Sequence, residues 1–319
     1  MTKNLLKPKI SIIGAGNVGM RYAYALAISG LARQINILDI NKEKAEGEVL
    51  DLSHGAPYYS PVEIVYGEYD SLANSDLIVI TTGKNQKPEQ TRLELVKENV
   101  ALYKNIIPAI MKYSPSSIIL VVTNPVDVLA YTAFKLSGKP SKEVISSGTV
   151  LDSARLRFLL SKHFEIDAHN VHAYILGEHG DSEFPAYSSA TVGGIHIKDY
   201  CLKCGDKSCN YQDELARIFK EVKSSAYGII KRKGETSYGI GLALVRITSA
   251  IIKDENSVLP VSNLINGYLG IKDVYLSIPA IVNKGGVREV LDIKLDSKEE
   301  GQLINSANVL KNIIKDSGM

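Results

Sequence analysis

Short apolar runs alternate with longer stretches of helical periodicity through the first half of the chain. Lys9 to Ile13 leads through a glycine-rich turn into a helix-compatible segment ending near Ile28, and Ile35 to Leu38 leads into a helical stretch from Lys42 to Leu52. Val62 to Val65 and Leu77 to Ile80 follow, then a helix from about Leu93 to Met111, a run at Ile118 to Val122 and another at Val144 to Ser146. Strands that alternate with helices predict a parallel sheet covered on both faces, whose ligands bind beyond the carboxyl ends of the strands. The second half is less regular. It predicts a strand from Val171 to Leu176, a helix with Asp152 in its first turn running to about His163, an apolar helix from about Leu242 to Ile252, and strand-like runs at Val258 to Leu264 and Val274 to Val282. A terminal amphipathic helix is expected, opened by a capping box of Ser297 with Glu300 and carrying Leu303, Ala307, Leu310 and Ile314 on one face.

Between the first run and its helix stands Gly14-Ala15-Gly16-Asn17-Val18-Gly19. In this context the first glycine permits the tight turn, the second lets backbone approach a pyrophosphate, and the third lets helix pack on strand. The helix N-terminus offers unpaired N–H groups to the anion. The next run ends in Asp39, about 20 residues beyond the last glycine, where a carboxylate holds ribose hydroxyls and repels a 2′-phosphate. The expected ligand is NAD rather than NADP. Thr81, Thr82, Gly83 and Asn124 fall at other strand ends on the same side. The expected fold class is α/β, with a Rossmann-type doubly wound parallel sheet over residues 1–147 and an α+β substrate domain over 148–319.

Composition changes this picture little. The 319 residues are 45% hydrophobic and 23% charged, with a formal net charge of +2, which gives no nucleic-acid or membrane footprint. No apolar run approaches the ~20 residues that span a bilayer, and the first nine residues lack a leader's apolar segment, so a cytoplasmic protein is expected. Cys201, Cys204 and Cys209 fall close together, but no second Cys-x-x-Cys pair and no nearby histidine beyond His196 completes a tetrahedral set. A reduced surface loop without metal is the expectation.

Candidate chemistry centres on Gly177-Glu178-His179-Gly180-Asp181-Ser182, where flanking glycines leave a histidine sterically open to a ligand. Asp152 and Arg155 lie three apart on a helix and share a face, whereas Arg157 diverges from Arg155. Spacing alone favours an ordinary intrahelical ion pair. The polar stretch from Gly83 to Arg92 is either a surface loop or a lid over the ligand end of the sheet that carries in the charge of Arg92.

Gly14 to Gly19, Asp39, Gln86 with Arg92, Thr123-Asn124-Pro125, Leu151-Asp152-Ser153-Ala154-Arg155, Gly177 to Asp181 and Thr236 together resemble the L-lactate dehydrogenases of the lactate and malate dehydrogenase family, in order along essentially the whole chain. The resemblance implies that His179 exchanges a proton with the substrate oxygen, that Asp152 orients His179, and that Arg155 holds the substrate carboxylate. It implies that Arg92 polarises the carbonyl, with Asn124 on the same oxygen and Thr236 beside the substrate side chain. Malate enzymes of the family carry arginine where this chain has Gln86, so pyruvate and lactate are the implied pair. Cofactor contacts implied by the resemblance are Gly14, Gly16, Val18, Gly19, Asp39, Lys44, Tyr69, Gly83, Lys84, Val122, Asn124 and Ser147. Pro88-Glu89-Gln90 departs from the common bacterial lid, where glycine and glutamate precede the threonine and arginine. Arg157 and His172 match the places where bacterial members activated by fructose 1,6-bisphosphate carry an arginine and a histidine, and a homotetramer is implied with them. A malate-type enzyme and a binding-only NAD protein are the competing expectations. Gln86 speaks against the first, and Asp152, Arg155, His179 and Arg92 together speak against the second.

Overall fold

A computed structural model of the chain describes residues 8–84, 91–201 and 210–319, with the side chain of Arg92 outside that set. Gln86, Cys204 and Cys209 lie outside the described residues.

The first half builds β1 (Lys9–Ile13), α1 (Asn17–Ser29), β2 (Gln34–Leu38), α2 (Lys42–His54), β3 (Glu63–Tyr66), β4 (Leu77–Ile80), α3 (Arg92–Tyr113), β5 (Ile118–Val121), α4 (Val126–Ser137) and β6 (Val144–Ser146). The second half continues with α5 (Val150–Phe164), β7 (Val171–His172), β8 (Ile175–Leu176), β9 (Phe184–Pro185), β10 (Thr191–Val192), β11 (Ile195–His196), α6 (Ile197–Cys201), α7 (Tyr211–Lys233) and α8 (Tyr238–Ile252). It closes with β12 (Ser257–Leu259), β13 (Ser262–Asn266), β14 (Lys272–Ser277), β15 (Ala280–Asn283), β16 (Gly286–Val290) and α9 (Ser297–Asp316).

The main sheet runs in the order β14-β13-β6-β5-β4-β1-β2-β3. Its six strands from the first half pair in parallel, and β13 and β14 extend it as an antiparallel hairpin beyond β6. Every residue of β4 and β5 is buried, as expected of strands covered on both faces. Successive side chains point to opposite sides of a strand. Ile78, Ile80, Ile119 and Val121 therefore enter one core with α3, α4 and α9, while Leu77, Val79, Ile118 and Leu120 enter another with α1 and α8. Tyr22 on α1 and Thr248 on α8, both fully buried, join hydroxyls at 2.6 Å. Helices from the second half thus complete both faces of the first half's sheet. A third core belongs to the second half alone and packs α5, β7, β8 and α7 around Leu156, Val171, Ile175 and Ile218.

Several second-half expectations need correction. The run from Val171 to Leu176 is two short strands, because Val171–His172 pairs with β10 while Ile175–Leu176 pairs with β9. Val258 to Leu264 divides at Pro260, and Val274 to Val282 at Pro279, where proline has no N–H to give a ladder. The capping box of α9 lies one residue earlier than expected. Asp296 accepts the Lys298 and Glu299 N–H groups and Glu299 reaches back to the Asp296 N–H, since a carboxylate suits a helix N-terminus better than a hydroxyl does. Helix α7 gave little apolar signal, as only Leu215, Ile218 and Val222 are buried on it. Among the described residues no helix is long and apolar enough to cross a membrane.

The glycine turn shows why its residues are small. Gly14 has φ +118°, which strains any side chain, and its N–H bonds the Leu38 carbonyl at 2.7 Å. A Cβ on Gly19 would run into the Gly14 carbonyl oxygen and approach the Thr81 hydroxyl at 2.8 Å. Gly19→Ala is expected to cost about 1–3 kcal/mol of stability through overpacking and to abolish saturable NADH binding. Urea midpoints and NADH fluorescence titration check both, and a variant that binds like wild type sinks this account of the turn.

Candidate active site

Helix α5 is fixed at its first turn. The Thr149 hydroxyl donates to the Ile175 carbonyl at 2.6 Å, and the Ile175 N–H donates to the Ser153 hydroxyl at 2.9 Å, which binds the helix to β8. Asp152, 3% exposed, is thereby set beside the segment that leaves β8. That segment turns at Gly177, where φ is +91°, and its main chain is held from three sides. Gly177 exchanges backbone hydrogen bonds with Ser277 of β14 at 3.0 and 2.9 Å. The Glu178 N–H donates to Ser306 of α9 at 2.7 Å, and the His179 N–H donates to Asp127 of α4 at 2.8 Å.

His179 Nδ1 lies 2.6 Å from Asp152 Oδ2, and Arg155 Nη1 donates to the other Asp152 oxygen at 2.8 Å. An ionised carboxylate only accepts, so the Nδ1 proton is assigned to this bond and Nε2 is left for a ligand. Burial alone would lower the pKa of His179, but the adjacent Asp152 charge and hydrogen bond, with Glu183 and Asp127 behind them, outweigh it and raise the pKa to about 9. Asp152 is pushed up by burial and drawn down further by His179 and Arg155, so it stays below the usual carboxylate range. The ion pair expected from spacing is therefore real, and it is also one half of a three-member chain. Among the described residues Asp152 is the sole hydrogen-bond partner of the Arg155 guanidinium, and the remaining donors stay open to an anion.

Asn124, Asp152, Arg155 and His179 line one cavity of about 950 Å³, walled by α3, α7 and α9. The His179 side chain keeps 28% of its surface open to it. Arg92 is the first helical residue of α3, placed by a capping box in which the Thr91 hydroxyl accepts the Glu94 N–H and the Glu94 carboxylate accepts the Thr91 N–H at 2.8 Å. Thr236 precedes α8, half-buried, and is not among the described residues lining the cavity.

The residues expected to contact a dinucleotide lie along one edge of the sheet. Ser147 follows β6, Val122 and Asn124 follow β5, Gly83 and Lys84 follow β4, Gly14 to Gly19 follow β1, Asp39 follows β2 and Tyr69 follows β3. Taken in strand order this is a continuous track across six neighbouring strands. Lys44 sits exposed in the first turn of α2. The track fits a dinucleotide: a Cβ on Gly16 would meet nothing within 4 Å, no side chain caps α1, and the Asp39 carboxylate accepts the Ala15 N–H at 2.7 Å beside the turn. Arg157 and His172 lie elsewhere. Arg157 donates to the Ala168 carbonyl at 3.1 Å, and His172 is exposed on β7.

Two groups escaped sequence reasoning. Asp127 closes the Thr123-to-Asp127 motif and reaches the site by accepting the main-chain N–H of His179, fifty-two residues away. Burial pushes its carboxyl up to about 6, while the His179 N–H and charge pull the other way. Glu183, on the cavity wall, follows His179 by four residues and carries no motif.

Residues 8–146 match the family described as lactate/malate dehydrogenase, NAD binding domain, and residues 149–318 match its alpha/beta C-terminal domain. The chain is 50% identical over 315 residues to an L-lactate dehydrogenase of Acetivibrio thermocellus, covering 99% of each chain. It is 48% identical to L-lactate dehydrogenase 1 of Clostridium acetobutylicum, covering 95% of this chain and 96% of that one. Among solved structures, a lactate dehydrogenase from a Medee basin deep-sea metagenome library superposes with a TM-score of 0.95 at 46% identity, covering 98% of this chain and 99% of that one. The minor L-lactate dehydrogenase from Enterococcus mundtii superposes with a TM-score of 0.94 at 40% identity, covering 97% and 98%. With a histidine, its orienting carboxylate and a guanidinium with donors to spare at one end of an NAD-binding sheet, and relatives matched over nearly their full length, the chain belongs to the lactate/malate dehydrogenase family.

Proposed function

We propose that this protein is an NAD-dependent L-lactate dehydrogenase that interconverts (S)-lactate and pyruvate in cytoplasmic fermentation. The observation that carries the reading is the Asp152–His179–Arg155 chain facing one cavity, which supplies a proton carrier beside an anchor for a carboxylate. The L-lactate dehydrogenase names of relatives about half identical to it support the same substrate.

Bound NAD supplies the nicotinamide carbon that accepts or returns hydride. His179 takes the hydroxyl proton of lactate through Nε2 and returns it to pyruvate, and Asp152 keeps the ring in the tautomer this requires. Arg155 holds the substrate carboxylate by two points, which fixes the face of carbon presented for transfer. Arg92 and Asn124 act on the reacting oxygen, Arg92 by stabilising the negative charge that develops there. The resemblance assigns Thr236 to the substrate methyl group, although it is not among the described residues lining the cavity. Gln86 selects that methyl, because an uncharged amide cannot neutralise a second carboxylate once water is displaced. We divide the chain into a cofactor domain ending at Ser147 and a substrate domain beginning at Gly148.

Arg157 and His172 form the effector site for fructose 1,6-bisphosphate in a homotetramer. Exposed apolar side chains on α1 and α8, Tyr24, Ile28, Tyr238 and Leu242, each more than half exposed, support burial against a second copy. The test is NADH oxidation with pyruvate and separately with oxaloacetate, each with and without the bisphosphate. Pyruvate is expected to be turned over faster, and more so with effector when subsaturating. Faster oxaloacetate turnover overturns the substrate assignment, and an unchanged pyruvate rate counts against activation.

A further inference from the structure

Glu183 lies just before β9 on the wall of the substrate cavity, 8% exposed, and the mechanism above leaves it without a task. One donor atom each of Asp152, His179 and Glu183 lies within 4.8 Å of the others. Among the described residues no hydrogen bond or ion pair reaches its carboxyl group. It faces Asp152 and Arg155 from α5, His179 from its own loop and Lys223 from α7. Glu178, Asp181, Lys220 and Asp316 complete the charged lining of the cavity.

Resting on the lactate dehydrogenase reading, we propose that Glu183 is a second proton-holding group of the substrate cavity, which must be neutral for an anionic 2-keto acid to bind beside His179 and Arg155. Asp152 is already shared between Arg155 and His179, the pyruvate carboxylate takes up the remaining Arg155 donors, and Arg92 is committed to the reacting oxygen. Among the described residues an ionised Glu183 has no hydrogen-bond or ion-pair partner of its own beside Asp152 and the arriving carboxylate, and a desolvated charge without a direct partner is costly. The free protein already favours the neutral form. Burial pushes the Glu183 carboxyl up to about 8, Asp152 pushes the same way, and His179, Lys223 and Arg155 pull it back. Both Glu183 and His179 thus lose protons as pH rises through about 8 to 9. Substrate binding, which needs both protonated, weakens in that direction.

The test is calorimetric binding of oxamate, a non-reducible isostere of pyruvate, to the complex with NADH, in buffers of different ionisation enthalpy. Proton uptake per site is expected to climb past one and toward two in wild type as pH rises from about 8 to 10, and to stay at or below one in Glu183→Gln. In parallel, kcat/KM for pyruvate is expected to fall about 100-fold per pH unit above both groups in wild type and about tenfold in the variant. A merely structural glutamate would not change that slope. If the variant fails to fold, wild-type uptake decides alone. Uptake that never exceeds one, or an unchanged slope in Glu183→Gln, overturns the inference while the enzyme still reduces pyruvate. A protein that neither binds oxamate nor reduces pyruvate overturns the enzymatic reading and the inference with it.

Discussion

His179→Gln is expected to lower kcat for pyruvate reduction by about 10²–10⁴-fold, the usual contribution of a positioned general acid. The amide is close in size to imidazole and can still hydrogen-bond Asp152, so loss of proton transfer dominates over loss of shape. NADH binding should hold within about twofold, because His179 faces the cavity of α3, α7 and α9 rather than the glycine turn. In wild type the proton needed for reduction is present below about pH 9 and lost above it, since Asp152 raises the histidine pKa against the effect of burial. The variant should lose that dependence along with its rate. Steady-state kinetics over pH, with an NADH titration as control, makes the comparison. A kcat within tenfold of wild type would remove His179 from its assigned role.

Arg155→Gln is expected to raise KM for pyruvate roughly ten- to hundredfold, matching the ~1.5–3 kcal/mol of a hydrogen bond to a charged group. Part of that loss comes from Asp152, which would keep its His179 contact but lose the guanidinium at 2.8 Å. Arg155→Lys separates the two effects. It retains positive charge near Asp152 and abolishes the two-point grip, so it should recover less than half of the lost affinity if geometry rather than charge holds the substrate. Full recovery by lysine would mean that a point charge suffices and that orientation is set elsewhere.

The parts of this molecule that the sequence displayed are those governed by short-range rules. Strands buried on both faces require unbroken apolar runs, and β4 and β5 have them. The glycine turn and Asp39 mark a backbone geometry that few other residues permit. Asp152 and Arg155 were readable as a pair because one helical turn separates them. Their union with His179 was not readable from spacing, since it depends on Thr149 and Ser153 fixing α5 against β8. Asp127 acts through a main-chain N–H, which no side-chain motif records. Glu183 gains its character only from enclosure, and enclosure is a property of the folded cavity. Helix α7 went unseen because a narrow apolar stripe on a largely polar helix resembles a solvated loop. Short strands that change partner at Pro260 and Pro279 likewise depend on neighbours distant in the chain.

The sharing of both cores between the halves also bears on synthesis. When residue 147 leaves the ribosome, the dinucleotide-binding strands exist, but α8 and α9 do not. One sheet face then lacks Leu244 and Ile247, the other lacks Leu303 and Leu310, and β6 offers an unpaired edge where β13 will later sit. At about 5–20 residues per second, this half-clad intermediate lasts on the order of 10–30 s before the last helix emerges. A nascent chain of this protein is therefore exposed to mispairing through about half of its translation, and the sheet face that α9 covers is closed only as the final residues are added.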